Sequence, residues 1–310
     1  MTAQTQDTLS NETSPETEVL LPFPIQHTFC RYEPIEKRIE KARVLVVDCL
    51  LQDEDYLSDV ARTEWGVATA AQMKRERYIA GLALENIQGN IERLVKEPVT
   101  EVTHLANVAN AATNFKPDAV VLSGTLSDFD YYNPSVLETF GDFIRSTKVP
   151  VLAICGGHQL VGMSFGARVM TLEGLEQHEQ RENRPIEYQY RFIRITEPGD
   201  PIFRGMANPE SGLWQEYTTQ ARVLRVWQNH GLQLDRVPDG FKLLATSYLC
   251  RNQMMVNKAG GQLIYTVQFH LEKSFEDWNK SRTRWEHQNE SRDGRILFEN
   301  FLFLALAHKS

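Results

Sequence analysis

Short apolar runs separated by longer amphipathic stretches predict alternating strands and helices. Arg43 to Cys49, Pro117 to Leu122 and Val149 to Ile154 are each nearly continuous in apolar residues. They are too short for buried helices, so each reads as a strand covered on both faces. Met73 to Lys96 spaces Tyr78, Ile79, Leu82, Leu84, Ile87, Ile91 and Leu94 among charges at helical intervals, and Ser135 to Ser146 does the same with Val136, Leu137, Phe140, Phe143 and Ile144. Leu50 to Ala70 carries a sparser helical pattern, and Val99 to Val108 suits a short strand. Gln159 to Phe165 reads as helix and Gly166 to Met170 as turn and short strand. Further strands are expected at Glu187 to Ile195, Arg222 to Trp227, Lys242 to Thr246 and Gln262 to Phe269. Strand, helix, strand in this order is the grammar of a parallel sheet. The expected fold class is α/β, a three-layer sandwich around a mostly parallel central sheet.

Ahead of the first strand the pattern is different. Met1 to about Glu18 is a nearly apolar-free run of Thr, Ser, Glu, Gln and Asn, which buries too little surface to offset its ordering entropy. Residues 1–40 therefore read as a disordered or loosely docked tail and residues 41–310 as one domain. Net charge is −8, from 33 Lys and Arg against 41 Asp and Glu, with no basic block. This argues against a nucleic-acid partner. Phe301 to Ala307, the most apolar run near the C-terminus, is far shorter than the roughly 20 residues of a spanning helix, so neither a membrane segment nor a signal peptide is expected. Cys30, Cys49, Cys155 and Cys250 are widely spaced and suggest neither a zinc site nor a disulfide framework. A reducing cytoplasm fits, and no cofactor or metal is implied.

Chemistry concentrates where the apolar runs end. After Val149 to Ile154 comes Cys155-Gly156-Gly157, a sharp turn into a helix. Such an elbow lifts one side chain above the sheet edge, and the free N–H groups of the helix favour a thiolate there. Read alone, Cys155 is either a nucleophile or a small buried hydrophobe. Pro117 to Leu122 runs into Ser123-Gly124, where a glycine lets backbone N–H groups approach a ligand. The last strand ends in His270-Leu271-Glu272, a general base with a carboxylate that orients it if the backbone bends between them. Cys49, also at a strand end, reads as packing.

Together these stretches resemble the class I, or triad type, glutamine amidotransferases. Ala153-Ile154-Cys155-Gly156-Gly157-His158-Gln159 is similar to their Gly-x-Cys-x-Gly-x-Gln, and Gln268-Phe269-His270-Leu271-Glu272 to their Gln-Phe-His-Pro-Glu. Leu122-Ser123-Gly124 looks like their oxyanion loop. Asn229-His230-Gly231 resembles a segment of the amidotransferase parts of carbamoyl phosphate synthetase and GMP synthetase, and the words at Asp200 to Met206 and Asp293 to Leu297 are also similar. The resemblance implies a flavodoxin-like fold with Cys155 as nucleophile, His270 as acid and base, and Glu272 as orienting carboxylate. It places Gly124 and Gly156 in the oxyanion hole. Thr125, Gln159, Asn229, Gly231 and Leu232 would bind glutamine. It further implies a separate ammonia-accepting synthetase or synthase subunit, since no such domain is evident after Glu272.

Three positions depart from the family pattern. Thr125 stands where a second glycine is usual, Leu271 replaces proline and Ala153 replaces glycine. The first two leave open a catalytically impaired regulatory subunit. A γ-glutamyl hydrolase or cysteine peptidase on the same fold is the other alternative, which Gln159 and the Asn229 segment disfavour. Met73 to Val108 and the charged Glu276 to Arg295 segment are candidate lid or partner-facing surfaces.

Overall fold

The computed structural model describes residues 36–206, 222–273 and 292–308. Residues 1–35 of the expected tail and most of the charged Glu276 to Arg295 segment lie outside the described residues. The elements begin β1 (Ile39–Asp48), α1 (Asp59–Trp65), α2 (Thr69–Leu94), β2 (Val95–His104), α3 (Val108–Phe115), β3 (Ala119–Leu122), α4 (Pro134–Ser146), β4 (Val151–Ile154) and α5 (Gly156–Ser164). They continue with β5 (Val169–Thr171), β6 (Glu187–Ile195), β7 (Val223–His230), β8 (Leu232–Leu234), β9 (Phe241–Thr246), β10 (Met254–Asn257), β11 (Ile264–Val267) and α6 (Arg292–His308).

A nine-stranded sheet runs in the order β2-β1-β3-β4-β11-β10-β9-β6-β7. From β2 to β11 every pairing is parallel, and from β11 to β7 every pairing is antiparallel. Successive side chains of a strand point to opposite faces, and β1 shows it: Val44 and Val46 enter one apolar cluster, Leu45 and Val47 the other. The first cluster is closed by Ile87, Ile91 and Leu94 of α2 and by Leu297, Phe298, Phe301 and Leu302 of α6. The second is closed by Val108 and Phe115 of α3, Phe140, Phe143 and Ile144 of α4, and Leu160 and Val161 of α5. These are the three layers. Among the described residues no helix is long and apolar enough to cross a membrane.

Local chemistry moves several boundaries. The helix expected over Leu50 to Ala70 is interrupted at Gly66, whose φ is 45°, and α2 starts afresh at Thr69. Strand β2 starts before Val99 and passes through Pro98. It is an edge strand, paired only with β1, so the missing N–H of proline costs no ladder bond on its open side. The last expected strand shrinks to Ile264–Val267: ahead of it the Gln262 side chain donates to the carbonyls of Ile144, Arg145 and Thr147 at the end of α4, and after it Gln268 and Phe269 form a bend.

Candidate active site

Strands β3, β4 and β11 are neighbours in the parallel part of the sheet, with Leu122 beside Ala153 and Ile154 beside Val267. Their carboxyl ends therefore deliver Ser123-Gly124, Cys155 and Gln268-Phe269-His270 to one place, the edge where open α/β sheets bind ligands. Cys155 sits between β4 and α5 at φ 50°, ψ −106°. A side-chain-bearing residue held there costs about 1–3 kcal/mol and needs neighbours that enforce it. They are present on both sides: the Cys155 N–H donates to the Val267 carbonyl at 2.7 Å, and the Gly157 N–H to the Ser123 carbonyl at 3.1 Å. Ala153 is fully buried, and its methyl group is accommodated in the cluster under α5.

His270 lies just past β11, where its backbone N–H donates to the Trp227 carbonyl of β7 at 2.8 Å. The chain then turns, and His270 Nδ1 meets Glu272 Oε1 at 2.7 Å. This bond places the Nδ1 proton toward the carboxylate and leaves Nε2 for the sulfur. The turn is held from two sides. Asn90 of α2 donates to the Glu272 carbonyl at 2.7 Å, and Gly294 of α6 lies against Leu271, where an added Cβ would stand 2.8 Å from the Leu271 carbonyl oxygen. Packing thus fixes position 271 without a proline ring. Burial opposes charge on His270, but the Glu272 carboxylate and the Cys155 sulfur outweigh it and raise the imidazole to about 10. Burial likewise pushes Glu272 up, and the His270 charge more than compensates, holding it below its ordinary value. An imidazolium beside the sulfur is the resting arrangement these partners favour.

Gly124 lies between these groups. A Cβ added to it would stand 3.4 Å from His270 Cε1 and 3.9 Å from Cys155 Sγ. Thr125 closes over Gly156: a Cβ there would meet Thr125 Oγ1 at 2.1 Å and its backbone N at 2.4 Å. The loop is anchored by Ser123, whose hydroxyl accepts from the Cys49 N–H and donates to the Gly124 carbonyl, both at 3.0 Å. Cys49 itself is fully buried, with its thiol pushed up by burial and by Asp48.

The other expected residues gather beside this centre. Gln159 is buried at the start of α5, and its amide NH2 donates to the Leu232 carbonyl and to Gln268 Oε1, each at 3.0 Å. Leu232 opens β8, directly after Gly231, and Asn229 is exposed on β7. His230 is buried with its ring nitrogens against the Leu232 carbonyl (2.9 Å) and Glu187 Oε2 (3.1 Å). His158 packs inward, its Nδ1 2.7 Å from Thr266 Oγ1, and burial and His230 lower it to about 3, so it stays neutral. Neither competes with His270 for the sulfur.

Two features were not expected. Gln268 lies inside the quoted Gln-Phe-His-Leu-Glu stretch, where only His and Glu carry a familiar acid–base role, yet its Nε2 reaches Cys155 Sγ at 3.7 Å. Arg184 packs its stem on Gly231 and forms a bidentate pair with Asp128 at 2.8 and 2.7 Å. That pair joins two loops far apart in sequence, and no local motif signals it.

The family model "Glutamine amidotransferase class-I" matches residues 83–286. A glutamine-hydrolyzing GMP synthase subunit from Thermococcus kodakarensis is 34% identical over 158 residues, covering 51% of this chain and 67% of that protein. The corresponding subunit from Methanothermobacter thermautotrophicus is 29% identical over 188 residues, covering 60% and 73%. Among solved structures, a chain from Thermoplasma acidophilum described as a GMP synthase subunit superposes with a TM-score of 0.54 over 86% of this chain and 96% of its own, at 20% identity, a likeness of fold. The chain belongs to the class-I glutamine amidotransferase family of enzymes.

Proposed function

We propose that this chain hydrolyses the side-chain amide of glutamine through Cys155, His270 and Glu272 and passes the ammonia to a separate synthetase or synthase subunit. One observation carries the reading: a cysteine held in a strained elbow beside an imidazole that a buried carboxylate orients at 2.7 Å. The thiolate attacks the carboxamide carbon, and the oxyanion is received by the Gly156 N–H and the Gly124-Thr125 loop. His270 Nε2 gives its proton to the departing ammonia as the C–N bond breaks. Water then attacks the thioester and yields a proton to His270. The C–S bond breaks, and glutamate leaves. Asn229, Gly231 and Leu232 hold the amino-acid end of the substrate, and Gln159 keeps the Leu232 carbonyl in place.

Ammonia freed into neutral water is mostly protonated and loses its nucleophilicity, so hydrolysis is useful only beside an acceptor. The relatives named as subunits of glutamine-hydrolyzing GMP synthase make the synthetase part of that enzyme the first partner to test. Cys155→Ala deletes the nucleophile at little cost in volume. The pair containing it should lose glutamine-dependent product and regain product with ammonium at mildly alkaline pH. Failure of ammonium to rescue a folded pair would overturn ammonia delivery, and faster turnover of γ-glutamyl peptides than of glutamine by the parent chain would overturn the choice of substrate.

A further inference from the structure

We propose that Gln268 is a further catalytic residue, whose carboxamide N–H donates to Cys155 Sγ and stabilises the thiolate before attack and again as it leaves the thioester. The inference rests on the reading of Cys155 as nucleophile. Gln268 and Phe269 form a bend between β11 and His270. Phe269 turns into the apolar core, while Gln268 on the same bend reaches the sulfur that His270 also addresses.

The orientation of the Gln268 amide follows from its neighbours. The Leu232 carbonyl can only accept, so Gln159 must turn its NH2 toward it, at 3.0 Å. The same NH2 then faces Gln268 at 3.0 Å, and only the carbonyl oxygen of Gln268 can receive it. The NH2 of Gln268 is left toward Cys155 Sγ, at 3.7 Å, within reach of a hydrogen bond to sulfur. Gln268 is fully buried and Gln159 is 3% exposed, so water does not compete for these groups. The Gln268 backbone is pinned as well, its N–H donating to the Gln253 carbonyl at 2.9 Å.

His270 supplies a charge to the sulfur and must surrender its proton during turnover. Gln268 supplies a neutral donor that never titrates. Its hydrogen bond is charge-assisted while the sulfur is anionic and weakens when the sulfur is acylated. No bond to Gln268 is made or broken. The chain from the Leu232 carbonyl through Gln159 and Gln268 also links the turn beside Asn229 and Gly231 to the nucleophile.

The test is the pH dependence of iodoacetamide alkylation at Cys155, followed by mass spectrometry of its peptide in the full chain without glutamine or partner. Gln268→Met removes the donor at similar volume, and Gln268→Asn withdraws it by one methylene. Each should move the alkylation midpoint upward by about one pH unit, a tenfold loss of thiolate below it, with the thermal unfolding transition retained. Gln159→Met, which frees the Gln268 amide to turn, should give a smaller shift in the same direction and serves if the other two variants fold poorly. A midpoint unchanged in the folded variants would overturn the role of Gln268 while leaving the proposed reaction standing. A parent Cys155 that resists alkylation throughout would overturn both.

Discussion

Gly156→Ala is the smallest change that tests how the elbow and the oxyanion loop fit together. The added methyl carbon would stand 2.1 Å from Thr125 Oγ1, 2.5 Å from Thr125 Cγ2 and 2.4 Å from the Thr125 backbone N. Two of those contacts are side chain and one is main chain, so a rotamer change cannot relieve them all. Either the loop after β3 lifts or the first turn of α5 shifts. Overpacking of this kind costs about 1–3 kcal/mol. The larger effect falls on catalysis, because the displaced groups are the proposed oxyanion donors, and losing one such donor lowers kcat about a hundredfold to a thousandfold. Steady-state glutamate release with purified chain, beside thermal unfolding, separates the two effects. Adding Thr125→Gly removes both side-chain contacts but leaves the 2.4 Å main-chain contact. The double variant should recover part of the lost stability and remain at least about tenfold below the parent in kcat. A Gly156→Ala chain with parental kcat, or full recovery in the double variant, would refute this placement of the hole.

Two further outcomes follow from the surroundings of the site. Asp48 is buried at the end of β1, and burial pushes it up to about 6 despite the Leu50 N–H donated to it at 2.9 Å. An acid raised from an unfolded value near 4 to about 6 destabilises the folded chain as pH rises through that window, by up to about 3 kcal/mol once both states are ionised. Asp48→Asn keeps the acceptor without the charge, so it should raise the melting temperature at pH 7.5 and lose that advantage near pH 4; equal effects at both pH values would contradict it. Gly231→Ala would bring a methyl carbon within 2.6 Å of Arg184 Cδ, whose guanidinium is held by Asp128. It should raise KM for glutamine several-fold with a smaller change in kcat, and Arg184→Ala should partly relieve it; a loss confined to kcat would place the turn elsewhere in the reaction.

The strands that carry the site are legible because they are buried on both faces. Ala119–Leu122 and Val151–Ile154 read as continuous apolar runs, Ile264–Val267 is broken only by Thr266, and each is followed by a residue type that packing alone does not explain. The antiparallel extension is less legible. Strand β10 is Met-Met-Val-Asn, a weak strand signal that gains its conformation from β9 and β11 on either side. The edge strand β2 escapes recognition at Pro98, since a lone sequence does not mark which strand has an open side. Within the site, His270 and Glu272 stand out by their acid–base character, whereas the amide of Gln268 carries no such mark and gains significance only from the sulfur it faces. Leu271 in place of proline reads from sequence as a loosened constraint. Its backbone is instead held by contact with Gly294, from a helix distant in sequence.

The proposed reaction turns on a covalent γ-glutamyl intermediate at Cys155. Glutamine turnover by the purified chain, quenched in acid and digested, should yield a γ-glutamyl adduct on the peptide containing Cys155, and Cys155→Ala should give neither adduct nor glutamate. Turnover that persists in the Cys155→Ala chain, or an adduct found on another residue, would contradict the assignment of Cys155 as the nucleophile.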